Sequence, residues 1–163
     1  MNSDAEEHRH DSISEISHSG RIAYTEKGLF LYTDKQKVTP ITDQLSNDLS
    51  SYIIAYCVEE DIHKNIWVAS TNGLYQYSSE GIFQRRYTIE DGLPNNCIYG
   101  LLEDNMNRLW LSTNKGLSCF DIQTGKFHNY KQEDGLSHNE FNQYGYCKGS
   151  NNILYFGGLD GIT

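Results

Sequence analysis

The chain has 163 residues, with 13 Lys and Arg against 22 Asp and Glu, for a formal net charge of −9. An acidic surface repels phosphate, which excludes nucleic acid and anionic membrane surfaces as expected partners. No apolar run approaches the ~20 residues of a bilayer-spanning helix, and no basic region followed by an apolar stretch predicts a signal peptide in this segment.

Residues 1–19 differ in composition from the rest. They hold Asp4, Glu6, Glu7, Asp11 and Glu15 with His8, His10 and His18, no aromatic residue, and only Ile13 and Ile16 as apolar bulk. Such a stretch buries too little surface to offset its ordering entropy, so a mobile tail is expected over 1–19. His8 and His10 stand at i, i+2 in that tail and offer no preformed metal geometry, so no metal site is expected.

From residue 20 onward the pattern is all-β. Segments 22–29, 67–74, 110–117 and 155–162 share one order of residue types, and their glycines, Gly28, Gly73, Gly116 and Gly161, are spaced by 45, 43 and 45 residues. A period in the low forties with β-type residues in each unit is that of propeller blades. Residues 20–49 read as an incomplete blade without its innermost strand, 50–94 and 95–138 as full blades, and 139–163 as two strands and the start of a third. The expected fold is a partial β-propeller of about three to four blades, each a four-stranded antiparallel sheet, forming an open arc. No window places apolar residues at i, i+3, i+4, i+7 over three turns, which excludes a helical alternative.

The unit at 97–139 shows how the residues dictate this. Cys97–Glu103 is an apolar strand and Asp104–Asn107 a turn of residues that tolerate left-handed backbone. Arg108–Thr113 follows, then a turn at Asn114-Lys115-Gly116, a strand at Leu117–Asp121, a turn at Gln123-Thr124-Gly125 and an outer strand at Lys126–Tyr130. Glu60-Asp61, Trp67 and Asp91-Gly92-Leu93 each lie 43 residues before Glu103-Asp104, Trp110 and Asp134-Gly135-Leu136. The only prolines, Pro40 and Pro94, are expected in connections, because a proline cannot donate to a strand ladder.

Trp67, Trp110 and Tyr155 occupy one repeat position. Packing between blades accounts for them, because large aromatics bury the most area where sheets face each other; stacking platforms for sugars are the alternative. The repeat glycines set hairpin turns, and the Asp-Gly-Leu triplets set the crossover from one blade's outer strand to the next blade's inner strand. Glu59, Glu60, Glu103 and Asp104 read as solvated turn carboxylates. Cys57, Cys97, Cys119 and Cys147 show no CxxC spacing; they read as small buried strand residues, and sequence leaves a disulfide between blades open.

The connections after the triplets are the candidate binding rim: Asn95, Asn96, His138, Asn139, Glu140 and Asn142. Their side chains offer donors and acceptors suited to hydroxyl-rich ligands at the mouth of a central channel; capping of local turns and backbone is the competing account. No phosphate-cradling loop, GxSxG elbow or HExxH occurs, so neither catalytic residues nor a cofactor are expected. His63, His128 and His138 read as surface or rim residues. A propeller enzyme, a lyase or glycosidase, is one alternative, with His138 and Glu140 the only nearby candidates, and a purely structural scaffold is the other.

The run from Ile66-Trp67-Val68-Ala69-Ser70-Thr71-Asn72-Gly73-Leu74 through Asn95, repeated from Leu109-Trp110-Leu111-Ser112-Thr113 through Asn139, resembles the two-component regulator propeller repeat. The likeness extends over about residues 21–163. It implies the extracytoplasmic or periplasmic sensor part of a hybrid two-component histidine kinase, with an oligosaccharide as ligand. This chain has no kinase motif, and an incomplete propeller leaves blade faces uncovered, so the remaining blades or a second copy are expected partners.

Overall fold

The computed structural model describes residues 55–163 and, before them, the backbone of strands at 13–16, 20–25, 28–33 and 38–40. Four antiparallel sheets follow one another along the chain. The first joins β1 (Ile13–Ile16), β2 (Gly20–Thr25), β3 (Gly28–Thr33) and β4 (Val38–Pro40) in chain order. The second joins β5 (Ala55–Glu60), β6 (Ile66–Ser70), β7 (Gly73–Tyr77) and β8 (Phe83–Tyr87). The third joins β9 (Ile98–Glu103), β10 (Arg108–Thr113), β11 (Gly116–Asp121) and β12 (Lys126–Tyr130). The fourth has β13 (Phe141–Lys148), β14 (Leu154–Gly158) and the short β15 (Gly161–Ile162). The fold is all-β, an open arc of propeller-like sheets.

The N-terminal expectation needs correction. β1 lies inside the stretch read as a mobile tail, and it supplies the first strand that residues 20–49 were expected to lack. Its backbone pairs with β2 from Ile13↔Ala23 to Ile16↔Gly20. A four-residue strand carries too short a pattern to be seen in sequence, whereas a neighbouring strand satisfies its backbone directly. The rest of residues 1–19 lies outside the described residues, as do His8, His10 and His18.

The first strands of successive sheets sit side by side: β1 by β5, β5 by β9 and β9 by β13. They form the inner edge of the arc, where the sheets converge. β6, in the middle of its sheet, is buried at every position, whereas β12 is almost entirely exposed. A middle strand is covered on both faces by neighbouring sheets; an outer strand is not.

Between the second and third sheets lies one apolar layer. Cys57, Trp67, Ala69, Leu74 and Tyr87 meet Ile98, Leu101, Leu109, Leu111 and Phe120 there. The Phe120 ring lies 5.6 Å from Trp67 and 4.8 Å from Tyr87, both edge-on. Such edge contacts add to area burial because the ring quadrupoles are matched. The third and fourth sheets repeat this layer with Leu102, Leu117, Phe141 and Phe156, and with half-buried Trp110. Trp67 and Trp110 therefore pack between blades, as their repetition suggested. Tyr155 departs from that reading: it is 37% exposed on the fourth sheet.

The carboxylate of Asp61 is buried, not solvated as its repeat-mate Asp104 was expected to be. It accepts from His63 N–H at 2.8 Å, Asn65 N–H at 2.9 Å and the Trp67 indole N–H at 2.9 Å. Asp104 repeats every contact, accepting from Met106 N–H at 2.8 Å, Arg108 N–H at 3.1 Å and Trp110 indole N–H at 2.9 Å. The Arg108 guanidinium also reaches it at 2.7 Å. In the fourth sheet Gly149 and Ile153 make the same backbone turn, but Gly149 has no carboxylate and Tyr155 no indole. The acceptor and its donor are lost together.

On the inner edge, Lys148 donates through Nζ to the Glu103 carbonyl at 3.0 Å. Glu59 faces the same strand; burial pushes its carboxyl up to about 7, the neighbouring Glu103 carboxylate adds to this, and the Glu103 backbone N–H and Lys148 oppose it. All four cysteines are free; Cys57 and Cys119 are buried, Cys97 is half-buried, and Cys147 is exposed, against the expectation of burial.

Candidate functional site

Two crossovers build the rim. Each opens with a single 3-10 turn, at Ile89–Asp91 and at Gln132–Asp134. Asp91 Oδ2 accepts from Thr88 N–H at 2.9 Å, and Asp134 Oδ2 accepts from Lys131 N–H at 2.9 Å. Gly92 and Gly135 then take φ of 112° and 105°, a left-handed conformation open to glycine at little cost. Burial opposes ionisation of Asp91, yet the Thr88 N–H and the Arg85 guanidinium at 2.8 Å overcome it and hold its pKa below the usual carboxylate range.

The six rim candidates separate into different environments. Asn96 and Asn139 are structural. Their carbonyls accept from Gly73 N–H at 2.8 Å and Gly116 N–H at 2.7 Å, tying each crossover to the preceding hairpin. Their side-chain oxygens accept from Ile89 N–H and Gln132 N–H, both at 2.8 Å, closing the loop. Asn95 caps Cys97 N–H at 2.7 Å and donates to Asn114 Oδ1 at 2.6 Å, linking the crossover to the β10–β11 hairpin.

His138 corrects the expectation of a surface residue. It is buried at 4% exposure, with Nδ1 sharing a hydrogen with Ser137 Oγ at 2.7 Å and the ring 4.7 Å from Phe141. The imidazole fills the space that a side chain on Gly158 would need. Glu140 and Asn142 are exposed.

A cavity of about 380 Å³ opens between the crossovers, with Pro94, Asn114, Lys115, Lys131, Asn139 and Glu140 in its wall. Asn95 stands behind Asn114. Of the six candidates Asn139 and Glu140 line the cavity, Asn95 reaches its wall only through Asn114, and Asn96, His138 and Asn142 do not line it. Asn114, Lys115 and Lys131 were missed, although Asn114-Lys115 precedes a repeat glycine and so had to lie at a hairpin tip. Amide, ammonium and carboxylate groups in one wall recognise a polar ligand with both donors and acceptors. Among the described residues no cluster of His, Cys, Asp and Glu is arranged to hold a metal.

Antiparallel sheets in series, repeating every 43 to 45 residues and meeting along their first strands, define a β-propeller array. Residues 92–115 match the family model described as two component regulator propeller. Over 92 residues it is 35% identical to histidine kinase P4 of Formosa agariphila, a match covering 56% of this chain and 7% of that protein. The chain thus spans a small fraction of this curated relative. Its fold superimposes on the extracellular domain of BT3049 from B. thetaiotaomicron, described as a hybrid two component system. The TM-score there is 0.76 at 23% identity, over 93% of this chain and 21% of that one. Virginiamycin B lyase from Staphylococcus aureus is similar with a TM-score of 0.62 at 15% identity, over 90% of this chain and 47% of the lyase. These structural likenesses speak to the fold.

Proposed function

We propose that this chain is a ligand-sensing module of a two-component system, acting outside the cytoplasmic membrane and binding a glycan-derived oligosaccharide on its rim. The observation that carries the reading is positional. The matched repeat, residues 92–115, runs from the crossover through Asn95 to the hairpin tip at Asn114-Lys115, so it builds one wall of the polar cavity. A ligand there touches two adjacent sheets at once. It favours whichever arrangement of the array offers both walls, and that differential affinity is the signal. The arc's uncovered faces, where Ile153, Leu159 and Ile162 are exposed, would be covered by further blades or by a second copy. His138 is buried and outside the cavity wall, and among the described residues no other imidazole lines it, which favours binding over imidazole-based catalysis there.

The test is a thermal-shift and calorimetric screen of defined oligosaccharides. Binding at a hundredfold excess over Kd stabilises by about 2.7 kcal/mol, a readily measured rise in Tm. The Glu140→Ala and Lys115→Ala variants should weaken binding without lowering the Tm of the free protein. A screen in which no saccharide moves the Tm would overturn the ligand class.

A further inference from the structure

The inner edge carries a second repeated feature that the rim does not use. Each first strand from β5 onward breaks register near its start. On β5 the break falls between Ala55 and Cys57, on β9 between the partners of Ser112 and Thr113, and on β13 between Phe141 and Tyr146. Within each break stands a tyrosine: Tyr56, Tyr99 and Tyr144, spaced by 43 and 45 residues like the repeat itself. A bulge leaves a residue out of the ladder and re-aims its side chain.

Side chains from three sheets meet here. The Tyr56 and Tyr99 rings lie 5.5 Å apart. Gln143, Cys97 and Tyr144 all lie near enough to the Tyr56 phenol to act on its ionisation. Cys97, Tyr56 and, from the rim, Glu140 likewise act on the Tyr99 phenol. Groups of three successive sheets converge here, at the inner edge. Tyr144 is 77% exposed and holds a φ of 60°, which is strained for an aromatic residue. Strain that keeps a large ring in solvent contributes nothing to the core, and such strain gathers at binding sites. Two residues on, Tyr146 does the packing, half-buried against both apolar layers.

We propose that Tyr56, Tyr99 and Tyr144 form a stacking ladder that receives the ring of a saccharide, with Glu140 and Gln143 bonding its hydroxyls. The chemistry selects this ligand class. A sugar ring has an apolar C–H face for the tyrosines and a hydroxyl edge for the carboxylate, the amide and the phenols. An anionic ligand is disfavoured by the net charge of −9. Hydrogen bonding to Cys97 and burial push the Tyr99 phenol up to about 12, so it remains a donor at neutral pH. The proposal rests on the saccharide-sensing reading above and moves the main contact from the rim to the inner edge.

The experiment is calorimetric titration of the full chain and of Tyr144→Gly, Tyr99→Phe and Lys115→Ala with cello-, xylo-, manno- and galacto-oligosaccharides of two to six units. Tyr144→Gly removes the ring at a backbone angle that suits glycine, so its Tm should match or exceed the parent's. A saccharide that binds the parent should lose tenfold or more affinity in Tyr144→Gly, and several-fold in Tyr99→Phe. Unchanged binding in Tyr144→Gly with loss in Lys115→Ala overturns the ladder and leaves the rim as the sensing site. If none of these saccharides binds the parent, the ladder's ligand class and the sensing reading both fail.

Discussion

Trp110 donates its indole N–H to Asp104 Oδ2 at 2.9 Å, and the same bond joins Trp67 to Asp61 at 2.9 Å one repeat earlier. The bond anchors the most conspicuous aromatic of the repeat to the turn six residues before it. Removing the carboxylate leaves two backbone N–H groups and an indole N–H without an acceptor. Asp61→Ala, at the more buried copy, should cost about 2–4 kcal/mol, and Asp104→Ala somewhat less, by urea denaturation.

Asp104 also gives the fold an acid limit. Burial opposes its ionisation, but the Trp110 indole, the Arg108 guanidinium and two backbone N–H groups win, and its pKa is lowered. A carboxyl depressed in the folded state contributes stability that is present above its unfolded pKa and lost as pH falls through the folded one. Asp104→Asn should therefore be destabilised at neutral pH and show a shallower loss of stability toward pH 2.

Glu59 has the opposite sign. Its folded pKa of about 7 lies above its ordinary value of 4.5, so the folded state holds the proton more tightly. Its contribution is fully present below the unfolded pKa and is lost as pH rises through the folded one, from about pH 4.5 to 7. Glu59→Gln should flatten this window and raise stability at pH 8 by about 2 kcal/mol, read from denaturation midpoints across pH.

Phe120 stands at the centre of the layer between the second and third sheets, against Trp67, Tyr87 and Phe127. Phe120→Ala should cost about 3–5 kcal/mol, the range for a large aromatic cavity. Tyr130 is the repeat-mate of Tyr87 and stacks on Trp110 at 5.6 Å, but it is 36% exposed. Tyr130→Ala should cost clearly less than Tyr87→Ala in the same measurement.

Gly158 and His138 are coupled by space. A methyl group at 158 would enter the imidazole, whose ring is already held by Ser137 and Phe141. Gly158→Ala should be strongly destabilising alone and less so in a His138→Ala background. A double-mutant cycle with a coupling below about 0.5 kcal/mol would contradict this packing.

The repeat spacing, the four-strand units and the hairpin glycines were legible because each expresses a local rule. Gly73 and Gly116 need positive φ, at 116° and 107°, and a side chain there would strike the carbonyl of Tyr87 or Tyr130. Period-two alternation and turn residues report such constraints directly, and the order of motifs resembled the family whose model matches residues 92–115. What sequence could not separate was which polar residues serve the architecture. Asn95 and Asn96 are adjacent and chemically identical; yet one reaches the hairpin tip beside the cavity, and the other locks its own crossover. Asp104 looked like a solvated turn residue, because the indole partners of Asp61 and Asp104 become neighbours only when the hairpin closes. His138 looked like a rim residue and is buried, because the space it fills belongs to Gly158 on another strand. Composition and spacing therefore determined the array. The convergence of separate sheets decided which side chains face solvent, which are spent on backbone, and which tyrosines the bulges turn toward the inner edge.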